Sequence, residues 1–244
     1  MSNEVETKNN NSKSTSIVFV MDASGSMENM GEEPIQGLNN FYKKQKESGE
    51  FTSTLVFFNE NVKFNHQNID GKDVPILKNE DYDRGGLTAL YDAIGQAIVY
   101  QESIKTENVI FVILTDGLEN ASREYRKETI SKMIKKMEKE HKWTFMYLGA
   151  NQDSFAVSEG LGIRNSANYD YTPLGCMKAL RSISENVSRC VSHDLNPTDI
   201  TSESLRINTE DEKGDEKRDE KNVKSNKRIL NSPIPSLRPK KLRF

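Results

Sequence analysis

Three oxygen-bearing side chains stand at alternate positions where an apolar segment ends. Asp22, Ser24 and Ser26 follow the apolar run of residues 16–21 (SIVFVM). At this spacing all three can turn toward one point. A carboxylate and two hydroxyls there could bind a metal ion, cap a helix or supply a nucleophile, and the local sequence leaves these interpretations open.

Further oxygen-bearing side chains occur at two later places in the chain. Thr88 ends the glycine loop of residues 84–88 (RGGLT), and Thr115 and Asp116 end the most hydrophobic stretch of the chain, residues 108–116 (NVIFVILTD). Apolar runs of this length are typical of strands that are buried on both faces of a sheet. Thr115 and Asp116 are therefore expected at the end of a predicted strand, whereas Thr88 lies in the loop between the predicted hairpin and the next helix.

The elements that must position these residues alternate between strand and helix patterns. A hairpin is predicted at 51–58 and 62–69, separated by a short polar turn. The alternation predicts a doubly wound α/β domain, with a mostly parallel sheet, one antiparallel edge strand and helices on both faces. The other predicted strands are 16–21, 108–116, 143–150 and 163–169, and the predicted helices are 34–49, the segment after 84–88, 123–142, 154–162 and 173–193.

Parallel strands end at the same edge of a sheet, and α/β proteins bind ligands there, where the strand order reverses. The sequence therefore brings two carboxylates and three or four hydroxyls to one edge, with no His or Cys among them. Such an all-oxygen set of low charge suits hard cations, with Mg²⁺ or Mn²⁺ ahead of Zn²⁺. Two carboxylates only neutralise a divalent ion, which would still attract an outside anion.

The sequence resembles von Willebrand factor A-type domains over residues 16–193. The segment DASGS matches the Asp-x-Ser-x-Ser signature of that family, and Thr88 in GGLTALYDA and Asp116 in ILTDG occupy the expected later places. The segments YLGANQD and NSANYDYTP also resemble intracellular members of the family. Together the three site elements form a specific signal, whereas any one of them alone is weak.

The resemblance implies a metal-ion-dependent adhesion site. Hydroxyls matching Ser24, Ser26 and Thr88 coordinate the metal in that family, and carboxylates matching Asp22 and Asp116 bind it directly or through water. One coordination position is left for an Asp or Glu of a partner protein. The resemblance thus implies a protein-binding module rather than an enzyme, with Mg²⁺ as the ion and Mn²⁺ or Ca²⁺ as further candidates.

Two enzyme classes and one structural role compete with this interpretation. Serine hydrolases carry Gly-x-Ser-x-Gly, which differs from the surroundings of Ser24, and no histidine falls near a predicted strand end of the motif. Haloacid-dehalogenase-like phosphohydrolases also use an Asp and Mg²⁺, but they place a second Asp where Ser24 stands. Helix capping explains any one residue of the motif without explaining Thr88 and Asp116.

Three residues near the motifs each allow two interpretations. Asp92 either supports the site from behind or simply occupies a favourable first helical turn. Glu119 and Asn120 are interpreted as solvated loop residues, with contact to a partner as the alternative.

Composition sets the limits of the predicted domain. We expect a polar, disordered leader over residues 1–15, the folded domain over 16–193, and a flexible charged tail over 194–244. The net charge is −3, yet residues 221–244 contain eight Lys or Arg and no acid, so residues 1–220 carry −11. An acidic body argues against nucleic-acid binding by the domain, while weak contact through the tail, or partner binding by the tail alone, stays open.

The remaining features concern location. No apolar window is long enough for a membrane span, and the amino terminus lacks a signal-peptide core. Cys176 and Cys190 lie 14 residues apart on one predicted helix, about 21 Å along its axis, which is too far for a disulfide. We therefore expect an intracellular protein, cytoplasmic or nuclear, since residues 227–243 resemble a nuclear localisation signal. The sequence does not indicate an oligomeric state.

Overall fold

The computed structural model describes residues 14–150 and 154–205. Strands and helices alternate along this part of the chain, close to the predicted positions. The strands are β1 (Thr15–Asp22), β2 (Phe51–Phe58), β3 (Val62–Asp70), β4 (Asn108–Thr115), β5 (Thr144–Gly149) and β6 (Asn165–Asn168). The helices are α1 (Glu33–Ser48), α2 (Leu90–Ile104), α3 (Lys127–His141), α4 (Ser154–Leu161) and α5 (Pro173–Val191), and short 3₁₀ turns occur at Gly25–Met30, Gly71–Asp73, Asn79–Asp81 and Pro197–Asp199.

The six strands form one sheet in the order β3-β2-β1-β4-β5-β6. All neighbouring strands are parallel except β3, which pairs antiparallel with β2 at the edge. This confirms the predicted α/β class with its antiparallel edge strand. The chain runs from β1 to β2 on one side and later returns to β4 on the other, so the strand order reverses beside the carboxyl end of β1.

Alternate residues of the central strands pack into two separate cores. Phe19 and Met21 of β1 face the core that α1 and α5 cover, whereas Val18 and Val20 face the core that α2 and α3 cover. Burial on both faces explains why β1 and β4 are continuous apolar runs rather than alternating ones. Because both faces are covered, the strand ends are the part of the sheet open to ligands.

The packed region extends beyond residue 193, where the sequence analysis placed the start of a flexible tail. Ile200 and Leu205 are buried in the core beside α5. The Asn186 side chain donates a hydrogen bond to the Ser204 carbonyl at 2.8 Å, and Ser182 Oγ donates to the Leu205 carbonyl at 3.0 Å. Apolar packing and hydrogen bonds together hold residues 200–205 against α5.

Several predictions fall outside the described residues. These are the leader except for its last two positions, the tail beyond residue 205, and the basic signal at 227–243. Within the described ranges, no helix combines the length and apolar character that crossing a bilayer requires. Cys176 and Cys190 are free, buried thiols, and burial raises the pKa of each to about 12.

Candidate functional site

The carboxyl ends of β1 and β4 meet at the reversal of strand order. Met21 of β1 is aligned with Leu114 of β4, so the next residues, Asp22 and Thr115, are neighbours. Thr115 Oγ1 donates a hydrogen bond to Asp22 Oδ2 at 2.5 Å. The first carboxylate of the motif is thus held by the residue that precedes the second carboxylate, Asp116.

Asp22 is fully buried and fixed from three directions. The Ser24 backbone N–H donates to its Oδ1 at 2.7 Å, while Thr115 holds its Oδ2. The Tyr82 hydroxyl donates to the Asp22 backbone carbonyl. These contacts fix the orientation of the carboxylate, because both of its oxygens and its own backbone have defined partners.

The two serines connect Asp22 to Asp116. Ser24 Oγ lies 3.1 Å from Ser26 Oγ, and Ser26 Oγ donates to Asp116 Oδ1 at 2.9 Å. Ser26 belongs to the 3₁₀ turn Gly25–Met30, which bends the chain immediately after β1. The turn therefore places Ser26 next to the carboxylate of Asp116, the residue that follows β4.

Thr88 belongs to a separate loop, residues 84–88, which is hydrogen-bonded to the turn that follows β1. The Gly25 N–H donates to the Gly86 carbonyl at 3.1 Å, and the Gly85 N–H donates to the Ala23 carbonyl at 2.9 Å. Gly86 has a φ of +74°, a left-handed conformation that favours glycine. The sequence Gly85-Gly86 thus lets the loop lie against the β1 turn and present Thr88.

The space around Gly117 shows that the oxygen atoms converge. A Cβ atom placed on Gly117 would lie 3.2 Å from Thr88 Oγ1, 3.8 Å from Asp22 Oδ2 and 3.9 Å from Ser26 Oγ. The structure therefore brings all five residues singled out from the sequence into one group. We call this group the oxygen cluster, and it consists of Asp22, Ser24, Ser26, Thr88 and Asp116.

Burial disfavours the charged form of both carboxylates in the oxygen cluster. Burial raises the pKa of Asp22, although hydrogen bonds from Thr115 and Ser24 lower it in part. Burial, followed by the nearby charge of Asp22, raises the pKa of Asp116 to about 6. A bound cation would favour the charged form of both groups, because an opposite charge compensates desolvation and repulsion.

A second group of residues shapes the loop after Asp116, and its importance was underestimated from the sequence. Asp92 accepts hydrogen bonds from the backbone N–H groups of Arg123, Glu124 and Tyr125 at 2.8 to 2.9 Å. Its role is therefore to position the loop from the first turn of α2. No local sequence pattern identifies such backbone partners some thirty residues away.

Glu119 and Asn120 are structural members of that loop rather than freely solvated residues. Asn120 Oδ1 accepts from the Thr88 N–H at 2.8 Å, and the Asn120 N–H donates to the Thr88 carbonyl at 3.0 Å. Glu119 accepts from the backbone N–H groups of Tyr91, Ala121 and Ser122. Asn120 thereby connects the Asp116 loop to the loop that carries Thr88, and Glu119 connects it to the first turn of α2.

The composition of the oxygen cluster fits a hard divalent cation. It offers two carboxylates and three hydroxyls, the ligand types that Mg²⁺ and Ca²⁺ prefer. Among the described residues, no group of three or more His, Cys, Asp or Glu comes together as a metal centre. Any ion in the oxygen cluster would therefore depend on its serine and threonine hydroxyls as well as its acids.

Comparisons with known proteins identify the architecture. No family model matches the sequence, and no curated protein sequence is detectably similar to it. The PilB minor pilin from Streptococcus sanguinis is similar in structure, with a TM-score of 0.59 and 13% identity over 73% of this chain and 62% of the pilin chain. The chain thus spans less than two thirds of that pilin.

Two further similar structures are named as von Willebrand factor domains. The vWF domain of the type V pili tip protein Mfa5 from Porphyromonas gingivalis matches with a TM-score of 0.56 and 12% identity, over 73% of this chain and 96% of that domain. A von Willebrand factor type A protein from Catenulispora acidiphila matches with a TM-score of 0.51 and 13% identity, over 70% of this chain and 42% of that one. The chain therefore has the fold of a von Willebrand factor type A domain.

Proposed function

We propose that this chain is a protein-binding module that holds a divalent cation, Mg²⁺ in the first instance, in the oxygen cluster. Asp22, Ser24, Ser26, Thr88 and Asp116 would hold the ion. Bound there, the cation supplies a positive point that can accept a carboxylate from an Asp or Glu of a partner protein. The convergence of five oxygen-bearing side chains from three loops is the observation that supports this function most directly.

Apolar side chains around the oxygen cluster favour a protein as the partner. Leu87 precedes Thr88, and Leu118 follows Gly117, and both side chains are more than half exposed. Tyr171 is also exposed, and its hydroxyl donates to the Ser26 carbonyl at 2.6 Å. We call Leu87, Leu118 and Tyr171 the apolar rim.

Exposed large apolar side chains near a polar centre are typical of interaction sites, because burying them on binding is favourable. A partner carboxylate alone would need only the ion, whereas a protein segment would also cover the apolar rim. The rim therefore supports a protein ligand over a small soluble anion. Two of the similar structures come from a minor pilin and a pilus tip protein, which supports an interaction role.

The geometry of Asp22 argues against the phosphohydrolase alternative. Its side chain is 0% exposed, and its two oxygens accept hydrogen bonds from Ser24 N–H and Thr115 Oγ1. A carboxylate nucleophile needs an open line of attack to the substrate phosphorus. Asp22 lacks that access, and Ser24 cannot replace the second Asp as acid and base.

The serine-hydrolase alternative lacks a suitable base. Ser24 Oγ contacts the Ser26 hydroxyl, whereas His66 pairs with Ser53 on the edge hairpin at 2.9 Å. His141 ends α3, and His193 follows α5. A serine nucleophile requires a base within hydrogen-bonding reach, so the arrangement supports binding rather than acyl transfer.

Partner capture with matched variants tests the proposal. Tagged wild-type chain is incubated with host lysate in Mg²⁺ and, separately, in EDTA. We expect partner proteins that are retained in Mg²⁺, released by EDTA, and lost with Thr88→Val and Leu118→Asn. Val99→Asn is the control, because Val99 on α2 is as exposed as Leu118, at 51% against 52%, but lies several turns from the site.

A further variant separates the domain from the tail. If the tail alone binds the partner, deleting residues 208–244 abolishes capture while Thr88→Val has no effect, and the proposal is then wrong. The deletion begins at 208 because residues 200–205 pack onto α5 and must be kept.

A further inference from the structure

A cavity with both apolar and polar walls lies at the opposite edge of the sheet from the oxygen cluster. Its volume is about 800 Å³. It is bordered by Thr144 and Asn165, which begin β5 and β6, by the last turns of α3, and by residues 198–202. Because these strands are parallel, their starts lie at the edge away from the carboxyl ends. The cavity is thus independent of the proposed metal site.

Three cations stand at the wall of this cavity. Lys135 and Lys139 are one helical turn apart on α3 and project on the same side, and Arg164 immediately precedes β6. All three side chains are exposed, and none takes part in the ion pairs found within the described ranges. This local positive charge contrasts with the net negative charge of residues 1–220.

Glu138 is the carboxylate in the same wall. Burial raises its pKa, and the nearby charge of Arg164 acts in the opposite direction. One acid beside three cations leaves the wall with a net positive charge. The nearby guanidinium and ammonium groups would therefore attract an anion even with Glu138 ionised.

Hydroxyl groups complete the surroundings, and hydrogen bonds hold them in place. Ser202 Oγ donates to the Arg164 carbonyl at 2.7 Å and accepts from the Ser166 N–H at 3.0 Å, which fixes the 198–202 segment against β6. Thr201 also lines the cavity. The Thr144 hydroxyl is buried, and no described residue hydrogen-bonds to it.

We propose that this cavity binds a small molecule that carries more than one phosphate group. Its volume is in the range of small-molecule sites and exceeds what one phosphate ion would fill. Lys135 and Lys139 of α3 and Arg164 before β6 all line the cavity, so a ligand with separated anionic groups can contact cations of two different segments. Arginine and lysine with nearby hydroxyls match the many acceptor oxygens of phosphates. This function is separate from partner binding at the oxygen cluster.

Trp143 provides a local probe, because it is the only tryptophan of the chain and lines the cavity. Its emission is followed while the full-length, metal-free protein is titrated with sodium tripolyphosphate at constant ionic strength. We expect a saturable change in emission, with the midpoint raised about tenfold in Arg164→Gln and in Lys139→Gln.

Two control variants make the test specific. Lys136→Gln removes an exposed lysine from the same helix that pairs with Glu102 outside the cavity, and Asp22→Asn alters the oxygen cluster. Both are expected to leave the midpoint unchanged. The proposal is overturned if Trp143 emission does not saturate, or if Lys136→Gln weakens binding as much as Arg164→Gln.

The class of ligand is tested with two further probes. Citrate supplies three carboxylates of comparable charge, and a short oligouridine supplies phosphates within a macromolecule. Weaker binding of both than of tripolyphosphate is expected. Equal affinity for citrate would contradict phosphate recognition, and tighter binding of the oligouridine that depends on Arg164 would contradict a small-molecule site.

Discussion

Thr115 Oγ1 and Asp22 Oδ2 form a 2.5 Å hydrogen bond that joins the ends of β4 and β1. The contact places the two carboxylates of the oxygen cluster beside one another, because Asp116 follows Thr115 directly. It also supplies a donor to a buried acid whose pKa burial raises. The orientation of Asp22 thus depends on a residue that would not itself be a metal ligand.

Replacing this donor tests its role in positioning Asp22. Thr115→Val keeps the shape of the side chain but leaves a buried carboxylate oxygen without its partner. We expect a loss of about 1–3 kcal/mol in the free energy of unfolding and a 10–100-fold loss in Mg²⁺ affinity. Urea denaturation and calorimetric titration measure the two effects.

Thr144→Val is the matched control for that substitution. Thr144 is also a buried threonine, at the start of β5, but its hydroxyl has no hydrogen-bond partner among the described residues. Its replacement should leave Mg²⁺ affinity unchanged and should not destabilise the protein. Equal Mg²⁺ affinity of Thr115→Val and wild type would show that the Thr115 contact does not orient a ligand.

Gly117→Ala tests whether the space beside the oxygen cluster is needed for the ion. The added methyl group would lie 3.2 Å from Thr88 Oγ1 and would point among the oxygen atoms. We expect at least a tenfold loss of Mg²⁺ affinity with little change in stability, since ligand positions are altered while the core is not. Gly25→Ala serves as the control, because its Cβ would make only ordinary contacts, of 3.5 to 4.0 Å, with the backbone of Gly85 and Gly86. Similar affinities of the two variants would contradict this geometry.

Asp92→Asn tests the anchoring of the loop after Asp116. An amide cannot accept three hydrogen bonds from Arg123, Glu124 and Tyr125 as a carboxylate does, and its NH₂ group would face a backbone N–H. We expect a loss of about 1.5–3 kcal/mol in stability. Hydrogen exchange of residues 117–125 should become faster than in wild type. Asp73→Asn, at an exposed position, should change neither, and unchanged exchange in Asp92→Asn would contradict the anchoring role.

His66 predicts a pH dependence of stability. Burial lowers its pKa to about 4, whereas the unfolded chain binds the proton near pH 6.5. Between these values the unfolded state binds more protons, so stability falls as pH decreases from about 6.5 to 4 and this contribution then levels off. Because the ring is only half-buried, we expect a loss of about 1–2 kcal/mol.

His66→Gln isolates this contribution from that of the carboxylates. Urea denaturation of both proteins at a series of pH values gives the difference in stability between them. That difference should shift in favour of the variant as the pH decreases below 6.5. A difference that is independent of pH would show that His66 titrates normally in the folded protein.

The sequence predicted those parts of the molecule that depend on local patterns. Continuous apolar runs identified β1 and β4, and the strand ends identified Asp22 and Asp116. Because parallel strands end at one edge, the topology predicted that Asp22, Ser24, Ser26 and Asp116 would lie together, and the family resemblance added Thr88 from its loop. Their detailed contacts depend on turn geometry, such as the 3₁₀ turn that carries Ser26.

Other features depend on tertiary contacts that no local pattern encodes. Asp92 and Glu119 act through backbone N–H groups, which every residue type except proline possesses. The packing of Ile200 and Leu205 beside α5 was not predicted, because two isolated apolar residues in a polar segment form no apolar run. The apolar rim was likewise visible only once burial was known.

Calorimetric titration of the full-length chain with Mg²⁺, repeated with Mn²⁺, tests the central claim most directly. The account predicts saturable binding of one ion per chain that is abolished by Asp22→Asn and by Asp116→Asn. Glu28→Gln should bind like wild type, because Glu28 is an exposed acid on the same turn outside the oxygen cluster. Absence of binding in wild type, or equal binding by all four proteins, would contradict the account.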